Sequence, residues 1–202
     1  RYAHVPSVAA MANMALGGGF EIAAYCSRRV AHLESYIGLV EVGVGLVPAG
    51  GGLAFGARRA AEEHAPAPET PLLSFLVKYL MAAATAQVSR SAIEAQAMGY
   101  LLPDDRIVFH RQELLYAAIR EAKAMSDAGY RPPRRATFEV AGRTGIATVS
   151  AQLLNMREGG FASAHDQHLG RTIAEIMCGG DVEPGSQVDE AWVMALERKA
   201  FV

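Results

Sequence analysis

Glu21 lies in Ala15-Leu-Gly-Gly-Gly-Phe-Glu-Ile-Ala-Ala-Tyr-Cys26, and Glu41 lies in Gly38-Leu-Val-Glu-Val-Gly-Val-Gly45. Both settings are apolar, and a carboxylate is expensive there unless it is paired, hydrogen-bonded or protonated. Desolvation raises a carboxyl pKa, and two carboxyls sharing a site titrate apart. One can then hold a proton while the other accepts one, as general acid–base catalysis requires. The residues alone leave blander readings open. A Glu in a first helical turn can serve as a partner for the macrodipole, and a lone Glu on a strand edge can face water.

The elements around the two glutamates must position them. Val5–Asn13 is a short apolar run opened by Pro6, read as a buried strand. Gly17-Gly18-Gly19 breaks the chain, and Phe20–Cys26 resumes at helical spacing. A helix entered through glycines presents backbone N–H groups suited to a partial negative charge. Arg29–His32 and Tyr36–Val40 read as strands, and the glycine-dense turn from Gly43 to Gly52 leads into a helix over Leu53–Glu63. Close backbone approach to a ligand and tight packing explain the glycines equally well. Pro48 stands where a dinucleotide fingerprint needs its third Gly, and neither turn carries the Lys-Ser/Thr of a phosphate-binding loop.

Beyond the Pro-rich stretch 64–71 the spacing predicts helices over Leu72–Gln87, Ser91–Met98, Arg111–Asp127, Thr148–Met156, His168–Cys178 and Glu190–Val202. Ile107–Phe109 is the one late strand expected. The domain reading has three parts: 1–63 carrying both glutamates, a helical continuation over 64–128, and a helical extension over 129–202.

A length of 202 residues at 51% hydrophobic content suffices for a sizeable core. The net charge of −2 excludes the basic footprint of a nucleic-acid binder. The pairs Arg28–Arg29, Arg58–Arg59 and Arg134–Arg135 read as solvated faces rather than phosphate contacts. Cys26 and Cys178 lack a paired spacing, which is the usage of a reducing compartment. The longest apolar stretch, Leu72–Val88, is broken by Lys78 and too short to span a bilayer. A cytoplasmic protein with no membrane contact is expected. The chain opens on Arg1 and closes in helical pattern, so both ends read as cut. His165 and His168, with no further ligand, read as surface residues rather than a metal pair. No metal is expected. Tyr36, Tyr79, Tyr100, Tyr116 and Trp192 read as core or interface.

Pro6–Cys26 resembles the segment of the crotonase (enoyl-CoA hydratase/isomerase) family that runs as a strand ending in Asn, then Ala-Leu-Gly-Gly-Gly, one residue, Glu-Leu/Ile-Ala and Cys. Glu41-Val-Gly-Val-Gly-Leu-Val-Pro-Ala-Gly-Gly-Gly52 resembles the family's Pro-Glu-x-x-x-Gly-x-x-Pro-Gly-x-Gly-Gly motif. Glu21 and Glu41 keep the family's spacing of twenty positions. Val40 replaces the usual Pro, Ala49 a Gly, and Ser27 the Asp that commonly follows the Cys. Tyr36–Gly52, Ser89–Tyr100 and the Glu197–Phe201 ending are similar to a bacterial subgroup in which a 3-hydroxyacyl-CoA dehydrogenase precedes a hydratase-like domain.

The resemblance implies an α/β fold: a partial crotonase-like spiral core followed by a mostly helical C-terminal region. It implies that the Gly18 N–H is half of an oxyanion hole, with Gly17, Gly19, Ala49 and Gly50 in turns beside the substrate. Losing one such donor typically costs about 3–4 kcal/mol. Glu21 would help to activate water, and Glu41 would exchange the proton at the carbon next to the thioester. The implied reaction is hydration of a 2-enoyl-CoA to a 3-hydroxyacyl-CoA in fatty-acid β-oxidation. The CoA thioester is the substrate, no cofactor is covalently bound, and NAD belongs only to an upstream dehydrogenase domain. A homo-oligomer is implied as well. The rivals are Δ3–Δ2 enoyl-CoA isomerisation and a non-catalytic half serving assembly and docking. The family's first oxyanion donor precedes the strand at Val5, so the isolated chain is expected to lack hydratase activity.

Overall fold

The computed structural model describes residues 2–201. The chain forms two compact units, each drawing on two stretches of sequence. One runs to Gly38 and takes in Val88–Arg135; the other takes Leu39–Gln87 and the residues from Ala136 onward.

The first unit is built on parallel strands. β1 (Val8–Met11), β3 (Arg28–His32) and β5 (Arg106–Val108) form a sheet in the order β1-β3-β5, with Val8 opposite Arg28 and Val30 opposite Arg106. β2 (Met14–Leu16) pairs parallel with β4 (Tyr36–Gly38), and α1 (Gly18–Ala24) joins β2 to β3. α5 (Leu114–Asp127) lies on the sheet, so that Val30, Val108, Leu114, Ala117 and Ala118 make one buried cluster with Val8 and Ala12 against it. Parallel strands need crossovers, and helices on a face are the usual consequence. α4 (Ala92–Ala97) starts where the sequence signals it: the Ser91 hydroxyl accepts from Glu94 N–H. Phe20 is fully buried and meets the Tyr100 ring edge-on, with centroids 4.9 Å apart.

Arg29 corrects the expectation of a solvated arginine pair. It is 2% exposed, and its Nε donates to Asp105 Oδ2 at 2.5 Å while Nη1 donates to the Ala24 carbonyl. Asp105 also accepts from the backbone N–H groups of Arg29 and Leu102. Arg28 is half-buried and pairs with Asp104 and Glu121.

The second unit is mainly helical. α2 (Gly52–His64) packs against α3 (Leu72–Ala84), α7 (Ala164–Met177) and α8 (Glu190–Phe201), with α6 (Gly142–Glu158) against α7. Leu53, Ala54, Ala57 and Ala60 form the buried stripe of α2. Arg58 and Arg59 again depart from a solvated pair. Arg58 bridges to Glu62 and Glu190, and Arg59 to Glu62 and Glu63. Glu63 also accepts from the Tyr79 hydroxyl, and burial, followed by that bond, raises the phenol's pKa. Arg134 and Arg135 are exposed, as expected, with Arg135 over the Tyr2 ring.

Ile107–Phe109 is not the one late strand. β6 (Thr137–Glu139) pairs antiparallel with β7 (Gln187–Asp189), each three residues long. Segments that short carry almost no alternation to read. α6 begins at Gly142, six residues before the expected Thr148, and Gly142 stands at its entry with φ 56°.

A Cβ on Gly142 would sit 2.5 Å from the Val182 carbonyl oxygen and 2.7 Å from backbone atoms of Glu183 and Pro184. Gly142→Ala is therefore expected to destabilise by about 3 kcal/mol, adding overlap to left-handed strain. Gly129→Ala has the same left-handed φ facing open space and is expected to cost about 1 kcal/mol. Urea melts of the two variants check the difference.

Among the described residues no helix is long and apolar enough to cross a membrane. Tyr79 and Tyr100 are core residues, whereas Tyr36, Tyr116 and Trp192 are substantially exposed. Cys178 is fully buried, which pushes its thiol up to about 12. A raised thiol pKa favours the protonated fold, so this contribution is full below the unfolded value and fades as pH rises towards 12. A thiol reagent at pH 8 is expected to label the half-buried Cys26 in the native chain and Cys178 only after denaturation. Mass spectrometry of the labelled protein reads both.

Candidate active site

Glu21 belongs to the first unit and Glu41 to the second. Glu21 stands in the first turn of α1 and is 7% exposed, beside fully buried Phe20. The helix starts without a side-chain cap at Gly17, and Glu21 N–H donates to the Gly17 carbonyl at 3.0 Å. Gly17 N–H in turn donates to the Gly38 carbonyl at 2.8 Å, which ties the turn to the end of β4. Gly18 and Gly19 are exposed, and N–H groups in a first turn have no intrahelical acceptor.

The Glu21 carboxylate lies over this turn. A Cβ built on Gly18 would stand 4.0 Å from Glu21 Oε2. A buried carboxylate and outward N–H donors thus sit side by side on one helical turn. Such a turn can hold developing negative charge and move a proton next to it. Ser27, which replaces the expected Asp, exchanges bonds with Ser7: each hydroxyl accepts from the other's backbone N–H, at 3.1 and 3.2 Å. Ser27 Oγ also lies 2.9 Å from the Tyr130 hydroxyl. Ser27 is thus held by hydroxyl and backbone partners at the residue preceding β3.

Glu41 is half-buried and opens a 3-10 turn over Glu41–Val44. Its carbonyl accepts from Leu46 N–H at 3.0 Å, and Gly45 caps the turn at φ 80°. Ala49 is half-buried and Gly50 exposed, in the loop that ends at the start of α2. Both glutamates therefore stand beside glycine turns, one on a helix and one on a 3-10 turn.

His165 and His168 are exposed on α7. His165 Nε2 lies 3.3 Å from the Gly45 carbonyl, so this histidine borders the Glu41 turn. Its sequence neighbourhood carried no signal for that contact. Glu197 was likewise missed. It is fully buried on α8, and its carboxylate accepts from Gly51 N–H and Ala54 N–H, both at 2.8 Å. A detectable signal existed: Glu190, Val193 and Glu197 share one helical face, and Val193 marks that face as buried. The described residues contain no group of three or more His, Cys, Asp or Glu placed to hold a metal ion.

No family model matches the chain. Over all 202 residues it is 37% identical to the "Probable 3-hydroxyacyl-CoA dehydrogenase" of Bacillus subtilis (strain 168), covering 25% of that protein. It is 53% identical over 47 residues to the peroxisomal bifunctional enzyme of Danio rerio, covering 23% of this chain and 6% of that protein. The mitochondrial methylglutaconyl-CoA hydratase of Homo sapiens is 48% identical over 48 residues, covering 24% of this chain and 14% of the relative. The chain thus spans about a quarter of the first relative's length and less of the others. A solved enoyl-CoA hydratase from Mycobacterium tuberculosis H37Rv aligns over 86% of this chain and 55% of its own, at 23% identity and a TM-score of 0.47. The chain is thus similar over its whole length to a relative named as a probable 3-hydroxyacyl-CoA dehydrogenase, and over about a quarter of it to relatives named as a bifunctional enzyme and a methylglutaconyl-CoA hydratase.

Proposed function

We propose that this chain supplies hydratase chemistry on 2-enoyl-CoA thioesters, within a larger protein that also carries 3-hydroxyacyl-CoA dehydrogenase activity. The observation that carries the reading is the α1 turn, where the buried Glu21 carboxylate lies over Gly18. In the proposed reaction water adds across the conjugated double bond. Its oxygen bonds to the β-carbon and a proton goes to the α-carbon. Negative charge develops on the thioester oxygen, where the Gly18 N–H donates to it. Glu21 takes the proton from the attacking water, and Glu41 delivers the proton to the α-carbon. The dehydrogenase part of the proposal is supported by the name of the Bacillus subtilis relative and by the share of that relative left uncovered.

The test is loss of the enoyl-thioester ultraviolet absorbance with crotonyl-CoA, using the complete protein that carries this chain. Hydration that falls with either Glu21→Gln or Glu41→Gln supports the reading. Hydration that survives both variants overturns it. Activity confined to moving a 3-enoyl double bond, tolerant of one of the two changes, would make the protein an isomerase instead.

A further inference from the structure

We propose that Glu197 is a positioning residue for Glu41: it replaces the missing cap of α2 and thereby fixes the loop that carries the Glu41 turn. The proposal rests on the reading of Glu41 as the proton-delivering group.

The start of α2 needs a cap that its own sequence cannot supply. Position 51 stands at φ 105° and ψ 2°, where an L side chain is strained, so Ser, Thr, Asp or Asn cannot serve there. The residue three positions into the helix is Ala54, which has no acceptor to return to the cap N–H. In a local capping box, two side chains satisfy the N-cap and N3 N–H groups between them. α7 in the same unit is built that way, with Ser163 and Asp166 exchanging bonds. At α2 one carboxylate does both: Glu197 Oε2 accepts from Gly51 N–H and Oε1 from Ala54 N–H.

The price of this arrangement is a carboxylate with no exposed surface. Two charge-assisted bonds and the positive end of the helix compensate it. The carboxylate also ties α8 to a point ten positions beyond Glu41 in sequence. Between the two lie Gly45, whose carbonyl meets His165, and Val47 and Pro48, both buried. The Glu41 turn is thus held at its near end by α7 and at the far end of its loop by α8. A glycine-rich loop left uncapped would gain backbone freedom. Proton delivery falls steeply when the carboxylate shifts by about 1 Å.

The test combines hydrogen exchange on the chain with kinetics on the complete protein. Glu197→Gln and Glu197→Ala are expected to speed amide exchange at 51–54 and also at 42–46 by about tenfold or more. They are expected to lower kcat by about tenfold to a hundredfold while KM stays within about twofold. Val193→Ala serves as the control, since it opens a cavity on the same face of α8 and leaves the carboxylate in place. It should lower Tm without changing exchange at 42–46 or kcat. Faster exchange confined to 51–54, or an equal kcat loss in Val193→Ala, overturns the proposal. If Glu197→Ala does not fold, Glu197→Gln, which keeps one acceptor oxygen, decides. If Glu41→Gln leaves hydration intact, the functional reading fails, and exchange at 42–46 still decides whether Glu197 fixes the turn.

Discussion

Glu21→Gln is expected to lower kcat for hydration of a short 2-enoyl-CoA by about 10²–10⁴-fold, with KM little changed. Glutamine keeps the volume and one acceptor oxygen at the α1 turn but cannot carry the proton. The substitution therefore removes acid–base chemistry while leaving the packing around Phe20 in place. A group used only in the transition state lowers kcat and kcat/KM together. Replacing a buried carboxylate by an amide is not expected to destabilise this turn, and Tm should hold or rise. Stopped assays on the complete protein, with thermal melts alongside, separate the two effects. A parallel fall in Tm and kcat would assign Glu21 a structural role instead.

Asp105→Ala is expected to destabilise the first unit by about 3–5 kcal/mol. Asp105 and Arg29 have side chains 0% and 3% exposed. Truncating the acid leaves a buried guanidinium without its counter-charge, and it strips the acceptor from Arg29 N–H and Leu102 N–H. Natural domains are stable by about 5–15 kcal/mol, so the loss is a large share of the total. It should lower Tm on the order of 10 °C in a chain of this size. The double variant Arg29→Met with Asp105→Leu is expected to recover only the part due to the uncompensated charge, because the Arg29 and Leu102 N–H groups still lack the Asp105 acceptor. A double-mutant cycle in urea measures the coupling. If the single and double variants are equally destabilised, the ion pair is not the cause.

Much of the architecture was legible along the chain. The helices at Leu72, Ala92, Leu114 and Glu190 begin within about three residues of where the spacing places them, a typical boundary error. β3 and β5 were visible as the short runs Arg29–His32 and Ile107–Phe109, each within one residue of the strand the chain forms. β6 and β7 were not, because three-residue strands derive their stability from each other rather than from their own pattern. Arg29, Arg58 and Arg59 misled because a basic pair in a sequence does not show whether carboxylates will come to it. Asp105 and Glu190 do so from 76 and 132 positions away.

The residue types around the two glutamates, and their distance along the chain, were fixed by the sequence alone. An acid in an apolar run beside glycines is unusual in itself, because burial of a carboxylate must be compensated. What only tertiary structure decided is how that compensation is arranged. Helical spacing alone lays the Glu21 carboxylate over the Gly18 turn, but the tertiary fold buried that carboxylate and brought Glu197 to the glycine end of α2. Local spacing cannot encode the Glu197 partner, 146 positions from Gly51, because hydrogen bonds act over about 3 Å of space regardless of how many residues separate the groups.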